Sequence, residues 1–349
     1  MESPLTPSRS RLRHLLFSED RLAKAAVEEL HALGRPARYR LDAGLRGGLR
    51  SVRDAPPAVT ALLEHAEQPQ PSPDRELLDR GAGSLPTVNR FWYRIALGLG
   101  SLVHSYSTVP IAAALVSNGR LLADSERRIA ATWAWYISVM LPGGLLNGAD
   151  GYVATVRLRL LHARLPQPVT QVGLVRTWLS FTLVLHQALD TLGLGATDDE
   201  TRDMYRLWWR VGHLLGIESD LYSGIDSHAQ ACTVLRLVDS VCEGPDAHSR
   251  RLTAHEVASV CALIASVTGL PEPVALDLTH TLLRRIHGDV FARGLGIPAG
   301  QSDTLVDLVI RHMKRERTWH RQAADEWAQA ARRRLDSYRN DTVKWSSHD

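Results

Sequence analysis

The residues with the clearest chemical potential lie in VRLRLLHAR, residues 156–164. His162 stands among Leu158, Leu160, Leu161 and Ala163, and Arg159 precedes it by three residues, on the same face of a helix. An imidazole on an apolar helix suits axial ligation of haem iron. The apolar wall buries the macrocycle, and the guanidinium pairs with a propionate or another acid. The same residues also read as a core histidine bonded to a backbone carbonyl, the commoner use of such a side chain, and periodicity does not separate the two.

Arg128 and Thr132 are four apart and share one face of a helix over 125–141. They read either as a second pair facing a site, or as a surface arginine and a threonine that back-bonds to the preceding turn. In WWRVGHLLGI (208–217), His213 has a ligand's chemistry, but Gly212 and Gly216 point first to close helix packing. His104 and His186 are single histidines in apolar stretches and read as structural. RHMKRERTWHR (311–321) reads as a solvated helix face. The chain has no GxGxxG, P-loop, HExxH, GxSxG or CxxC motif, so nucleotide cofactors, zinc hydrolysis and a serine triad lack their signals. Cys232, Cys242 and Cys261 are too few and too far apart for a zinc motif or a disulfide framework. They fit a reducing compartment, and they lack the Gly-rich loop that frames a thiolate ligand to haem.

The elements that must position these side chains are helices. Asp124 and Ser125 can cap the helix carrying Ile129, Thr132, Trp133, Tyr136 and Met140, and Pro142-Gly143-Gly144 stops it. A loop, LLNGADG, leads to a helix over about 152–164 that ends before Pro166. Another fills 172–192 and stops at Gly193. Thr197 with Glu200, and Thr253 with Glu256, have capping-box spacing. Further helices are expected over 272–287 and 302–336. No stretch alternates with period two. The expected fold is all-α: a single large helical domain. Residues 1–75 read as an N-terminal helical extension with a Pro-rich connection, 76–300 as the core, and 301–349 as a long helix and tail.

Composition bounds the partners. Of 349 residues, 44% are apolar and 23% charged, which suits a globular protein with a sizeable core. The net charge of +3 gives no broad footprint for nucleic acid. Only Lys24, Lys314 and Lys344 are lysines, so anions would be met by forked guanidinium groups. The most apolar stretch, 95–118, is broken by His104, Ser105, Ser107 and Pro110 and reads as buried helix rather than a membrane span. MESPLTPSRSRLRHLLFSED has no apolar h-region and no twin arginine, so a cytoplasmic location is expected.

Several segments, taken in order, resemble the latex-clearing protein (rubber oxygenase) family and its MpaB-type relatives. RRIAATWAWYISVMLPGG (127–144) is similar to that family's Arg-x-x-x-Thr helix. LLNGADGYVATVRLRLLHAR (145–164) is similar to its loop and Val-Arg-Leu-x-x-His-Ala segment. QPVTQVGLVRTWLSFTLVLHQALDTLG (167–193), YRLWWRVGHLLGI (205–217) and RRIHGDVFARGLGIP (284–298) follow at compatible spacing. The likeness spans roughly 50–300. It implies a globin-like helical core holding haem b, with His162 as the proximal iron ligand and Arg159, Arg128 and Thr132 close to the haem. The activity it implies is oxidative cleavage of isoprenoid double bonds by O2.

This chain departs from the pattern in four places. Ala131 stands where rubber oxygenases carry a distal lysine. No carboxylate occurs near Ile111–Ala114, where the family's acidic residue falls. Gly173 replaces the Asp of the Asn-Gln-x-Asp pattern, and Pro166 an arginine one turn past the histidine. Two functions therefore stand at this point. One is a haem-dependent oxygenase using O2 or peroxide on a small apolar or unsaturated intracellular substrate, with Trp92, Trp133, Trp135, Trp178, Trp208 and Trp209 available to shape its pocket. The other is a non-catalytic helical binding or regulatory protein that retains the fold.

Overall fold

A computed structural model describes residues 7–69, 75–83, 88–116, 125–167, 169–322 and 333. Among them every regular element is helical. Four helices precede the Pro-rich stretch: α1 (Arg9–Leu15), α2 (Arg21–Leu33), α3 (Arg35–Gly47) and α4 (Pro57–Glu67). Then come α5 (Arg75–Ala82), α6 (Arg90–Ile95), α7 (Val103–Tyr106), α8 (Val109–Val116), α9 (Ser125–Met140) and α10 (Asp150–Arg164). The remainder are α11 (Gln171–Leu179), α12 (Leu185–Thr191), α13 (Asp198–Leu214), α14 (His228–Asp239), α15 (Ala247–Thr268), α16 (Glu272–His287), α17 (Asp289–Gly294) and α18 (Asp303–Gln322).

One apolar core joins them. Leu12, Leu30, Leu45 and Leu62 of the first four helices belong to the same buried cluster as Tyr136, Trp178, Trp208 and Leu283. Each leucine so buried contributes about 1.5–3 kcal/mol relative to exposure. In α2 the buried positions are Ala23, Ala26 and Leu30, a stripe at helical spacing that faces α4 and α10. The N-terminal helices are thus packed directly on the helix that carries His162.

Local signals explain most boundaries. Thr197 and Glu200 form the reciprocal capping box: the Glu200 amide donates to Thr197 Oγ1 at 3.2 Å, and the Thr197 amide to Glu200 Oε2 at 2.7 Å. Thr253 and Glu256 do not cap a helix. Helix α15 starts six residues earlier, because Asp246 accepts the Ser249 amide at 2.8 Å and Thr253 is buried inside the helix body. The Thr-x-x-Glu spacing is also that of two residues on one helix face, so it has no unique reading.

The helix expected over 172–192 is continuous but carries a π-helical turn, Ser180–Val184, between α11 and α12. The Ser180 and Thr182 hydroxyls donate to the carbonyls of Arg176 and Trp178, both at 2.9 Å, and compete for those acceptors. A second π turn, Ala96–Leu102, joins α6 to α7. The helix expected over 302–336 is seen as α18; its expected continuation lies outside the described residues. Among the described residues, no helix is long and apolar enough to cross a membrane.

Candidate functional site at the end of a helical hairpin

Helices α9 and α10 form an antiparallel hairpin closed by residues 141–149. Helix α9 stops at Pro142 and at Gly143 in the left-handed region. Helix α10 stops at Leu165, which is extended as the residue before Pro166 must be. Two contacts fix the register. Trp135 Nε1 donates to Thr155 Oγ1 at 3.0 Å, and Gly151 lies so close to the Ser138 carbonyl that a β-carbon would overlap it. In an antiparallel pair each step down α9 matches a step up α10. Arg128 therefore comes level with His162, and Thr132 sits one turn nearer the loop. Thr132 is half-buried. Of Arg128 the helical backbone is described; its side chain lies outside the described residues.

His162 occupies the last turn of α10. Its Nδ1 is fully enclosed and has no hydrogen-bond partner. Burial pushes its pKa down to about 4, against a smaller upward pull from the Asp20 carboxylate. The imidazole is therefore neutral at pH 7, the form that binds a metal.

Arg159, one turn earlier, is only 3% exposed. Its Nε and Nη2 donate to the two carboxylate oxygens of Asp20 at 2.5 and 3.0 Å, and Nη1 donates to His65 Nδ1 at 3.1 Å. Asp20 also caps α2 by accepting the Ala23 amide at 3.1 Å. The acid that meets this arginine is thus a carboxylate from the N-terminal helices. Gly216, at φ 72°, lets the chain pass against this pair; a β-carbon there would overlap both Asp20 and the Arg159 guanidinium. Gly216→Ala is expected to cost at least about 1–2 kcal/mol from the left-handed backbone alone, read as a lower urea midpoint.

His65 stacks on His213 with ring centroids 4.3 Å apart and planes within 9°. His213 Nε2 donates to the His65 carbonyl at 2.7 Å. Because Arg159 donates to His65 Nδ1, that nitrogen must stay an acceptor. Burial, then Arg159, hold the His65 pKa near 4, and burial, then His65, hold that of His213 near 3. Both are below the unfolded value, so the unfolded chain takes up more protons as the medium is acidified. Stability is full above about pH 6.5 and falls as the pH drops from there toward 4. The urea midpoint should therefore be lower at pH 5 than at pH 7.5; a midpoint that holds or rises would contradict this arrangement.

The other histidines named from sequence have separate environments. His104 Nδ1 pairs with Ser180 Oγ at 2.8 Å, and its Nε2 faces Arg176 Nη2 at 3.3 Å. His186 is buried 6.2 Å, ring to ring, from His228, which pairs with the Tyr205 hydroxyl at 2.9 Å. The tryptophans serve packing: Trp133, Tyr136, Trp135, Phe181 and Trp208 stack or meet edge-on at 5.4–6.5 Å. Sequence reasoning missed Asp20 and His65. The one local signal was Asp20 as an N-cap before Arg21–Leu33.

Glu19, Asp20, Lys24, Arg159, His162 and Leu215 are among the residues lining a small, partly open cleft of about 10 Å³, the size of one water. In kind, His162 fits a haem ligand: a neutral, half-buried imidazole at a helix end with no protein partner on Nδ1. The cavity on its Asp20 side holds no macrocycle. Among the described residues no group of three or more His, Cys, Asp or Glu is placed to hold a bare metal ion.

The chain spans 93% of its length against 90% of a solved structure titled "Structure of Latex Clearing Protein LCP in the closed state", with a TM-score of 0.67 and 18% identity. At that identity the likeness speaks for the fold. No curated protein matches the chain. Residues 89–332, which include α9 and α10 and exclude Asp20 and His65, match the family described as "ER-bound oxygenase mpaB/B'/Rubber oxygenase, catalytic domain". That match spans well over half of the sequence, and the chain belongs to this oxygenase family.

Proposed function

We propose that the protein is a haem b-dependent oxygenase acting on a small apolar or unsaturated substrate with O2 or peroxide. The family supports the oxygenase class. The observation that carries the haem reading is the state of His162: a half-buried, neutral imidazole whose enclosed Nδ1 has no hydrogen bond. A haem held there supplies the redox centre at which the oxidant reacts. His162 holds the iron from α10. Thr132, on the facing helix, is the side chain assigned to the reacting side, where its hydroxyl would hold a proton; the family resemblance assigns Arg128 of the same helix to stabilising negative charge that develops. Asp20 and His65 fix Arg159 and so the helix turn that presents the imidazole. Three free cysteines accord with a reducing, cytoplasmic setting.

The reading is tested by incubating the haem-reconstituted protein with small alkenes and terpenoids under ¹⁸O₂. Label in a carbonyl or hydroxyl product, lost in Thr132→Ala, is expected. Oxygen uptake no faster than that of free haem would contradict it. One observation favours the second reading, a helical binding protein: the water-sized cavity beside His162. An iron-free protein under haem-replete expression would select that reading.

A further inference from the structure

We propose that the outer face of α3 docks the protein on anionic lipid bilayers, its arginines meeting the headgroups and Tyr39 and Leu33 entering the interface. The docking is independent of haem. Only its use, the collection of an apolar substrate from the bilayer, rests on the proposed function.

The net charge of the chain is concentrated here. Residues 31–54 hold Arg35, Arg38, Arg40, Arg46, Arg50 and Arg53 against Asp42 and Asp54, a net of +4. The whole chain carries +3, so all its other residues together sum to −1. The helix sorts these side chains by face. Ala37, Leu41, Gly44 and Leu45 are buried. Arg35, Arg38, Tyr39, Asp42 and Arg46 recur at helical spacing on the opposite side, and all five are exposed. Arg50 and Arg53, also exposed, follow just past the end of the helix.

Pairing within the protein leaves an excess of cations. Arg157 of α10 donates to Asp42 at 3.0 Å, and Arg46 donates to Asp150 at 2.7 Å. These two bridges tie the face to the helix that carries His162. Among the described residues, Arg35, Arg38, Arg50 and Arg53 donate to no carboxylate. Their guanidinium groups remain for an anion outside the chain.

Two apolar groups single out a bilayer among polyanions. Tyr39 is 77% exposed and Leu33 52%. Phosphate contacts alone, as on a nucleic acid, need neither. At a bilayer surface a tyrosine ring sits at headgroup level, and arginine stems lie along apolar surface while their heads reach the phosphates. The apolar side of α3 is already spent on the core, so the binding is peripheral, reversible and carried largely by charge.

The experiment is sedimentation of the full chain with vesicles of phosphatidylcholine alone, and of phosphatidylcholine mixed with phosphatidylserine, over a salt series. Binding is expected on the mixed vesicles only, and should fall as salt is raised. Each arginine near such a surface is worth about fivefold in partition, so Arg35→Gln/Arg38→Gln should lower it by about 25-fold. Tyr39→Ser should lower it by a smaller factor and leave the salt dependence unchanged. Arg311→Gln/Arg315→Gln removes the same charge from exposed positions of α18 and should leave binding near the wild-type value. If Arg35→Gln/Arg38→Gln fails to fold, Arg50→Gln/Arg53→Gln must show the loss. Equal binding to both kinds of vesicle, no binding at low salt, or equal losses from the α3 and α18 variants overturns the proposal. So does a preference for single-stranded RNA that Tyr39→Ser leaves untouched, which would make the face a nucleic-acid site. Vesicle binding by a protein that takes up no haem leaves the docking standing and removes only its use in catalysis.

Discussion

His162→Ala is expected to give a folded protein that no longer holds haem. The side chain is half-buried at the last turn of α10. Alanine is the better helix former there, and the substitution removes a polar atom that makes no bond within the protein. The stability change should therefore stay within about 1 kcal/mol. Outer partners of a metal ligand are worth about 10–100-fold in affinity, so loss of the ligand itself should exceed about 100-fold. Haem titration followed by absorbance, beside a urea melt, separates the two effects. A purely structural histidine would give the opposite pattern, with stability lost and colour unchanged.

The second large effect is on folding. Asp20→Ala leaves the Arg159 guanidinium buried with its charge uncompensated. Removing one partner of a buried ion pair typically costs about 3–5 kcal/mol. That is a large part of the roughly 5–15 kcal/mol that holds a domain together. Loss of the α2 cap adds about 1 kcal/mol. The double variant Asp20→Ala/Arg159→Met should recover much of the loss, because no charge is then stranded. Equal midpoints for the single and double variants in urea would mean that the pair carries no special energy. Asp20→Asn, which retains an acceptor and a cap, should cost less than Asp20→Ala.

What the sequence makes legible here is local chemistry. The stops of α9 at Pro142-Gly143 and of α10 before Pro166, the Thr197–Glu200 box, and the shared face of Arg159 and His162 all depend on neighbours within four residues. What it hides depends on distant chain. Asp20 meets Arg159 across 139 residues and His65 meets it across 94. No spacing rule connects such positions, so the arginine's acid could be anticipated in kind but not named. The π turns are hidden for a related reason: Ser180 and Thr182 look like ordinary helix residues until their hydroxyls take carbonyls of the preceding turn. The tryptophans read as possible pocket walls because composition does not tell a wall from a stack. In the fold Trp133 and Trp208 lie against Tyr136, within the core.

The most direct test is the visible spectrum and iron content of the purified wild-type protein, expressed with haem precursor supplied. A Soret band, with about one haem iron per chain held through His162, is the predicted result. A folded, haem-replete preparation that is colourless and free of iron would contradict it.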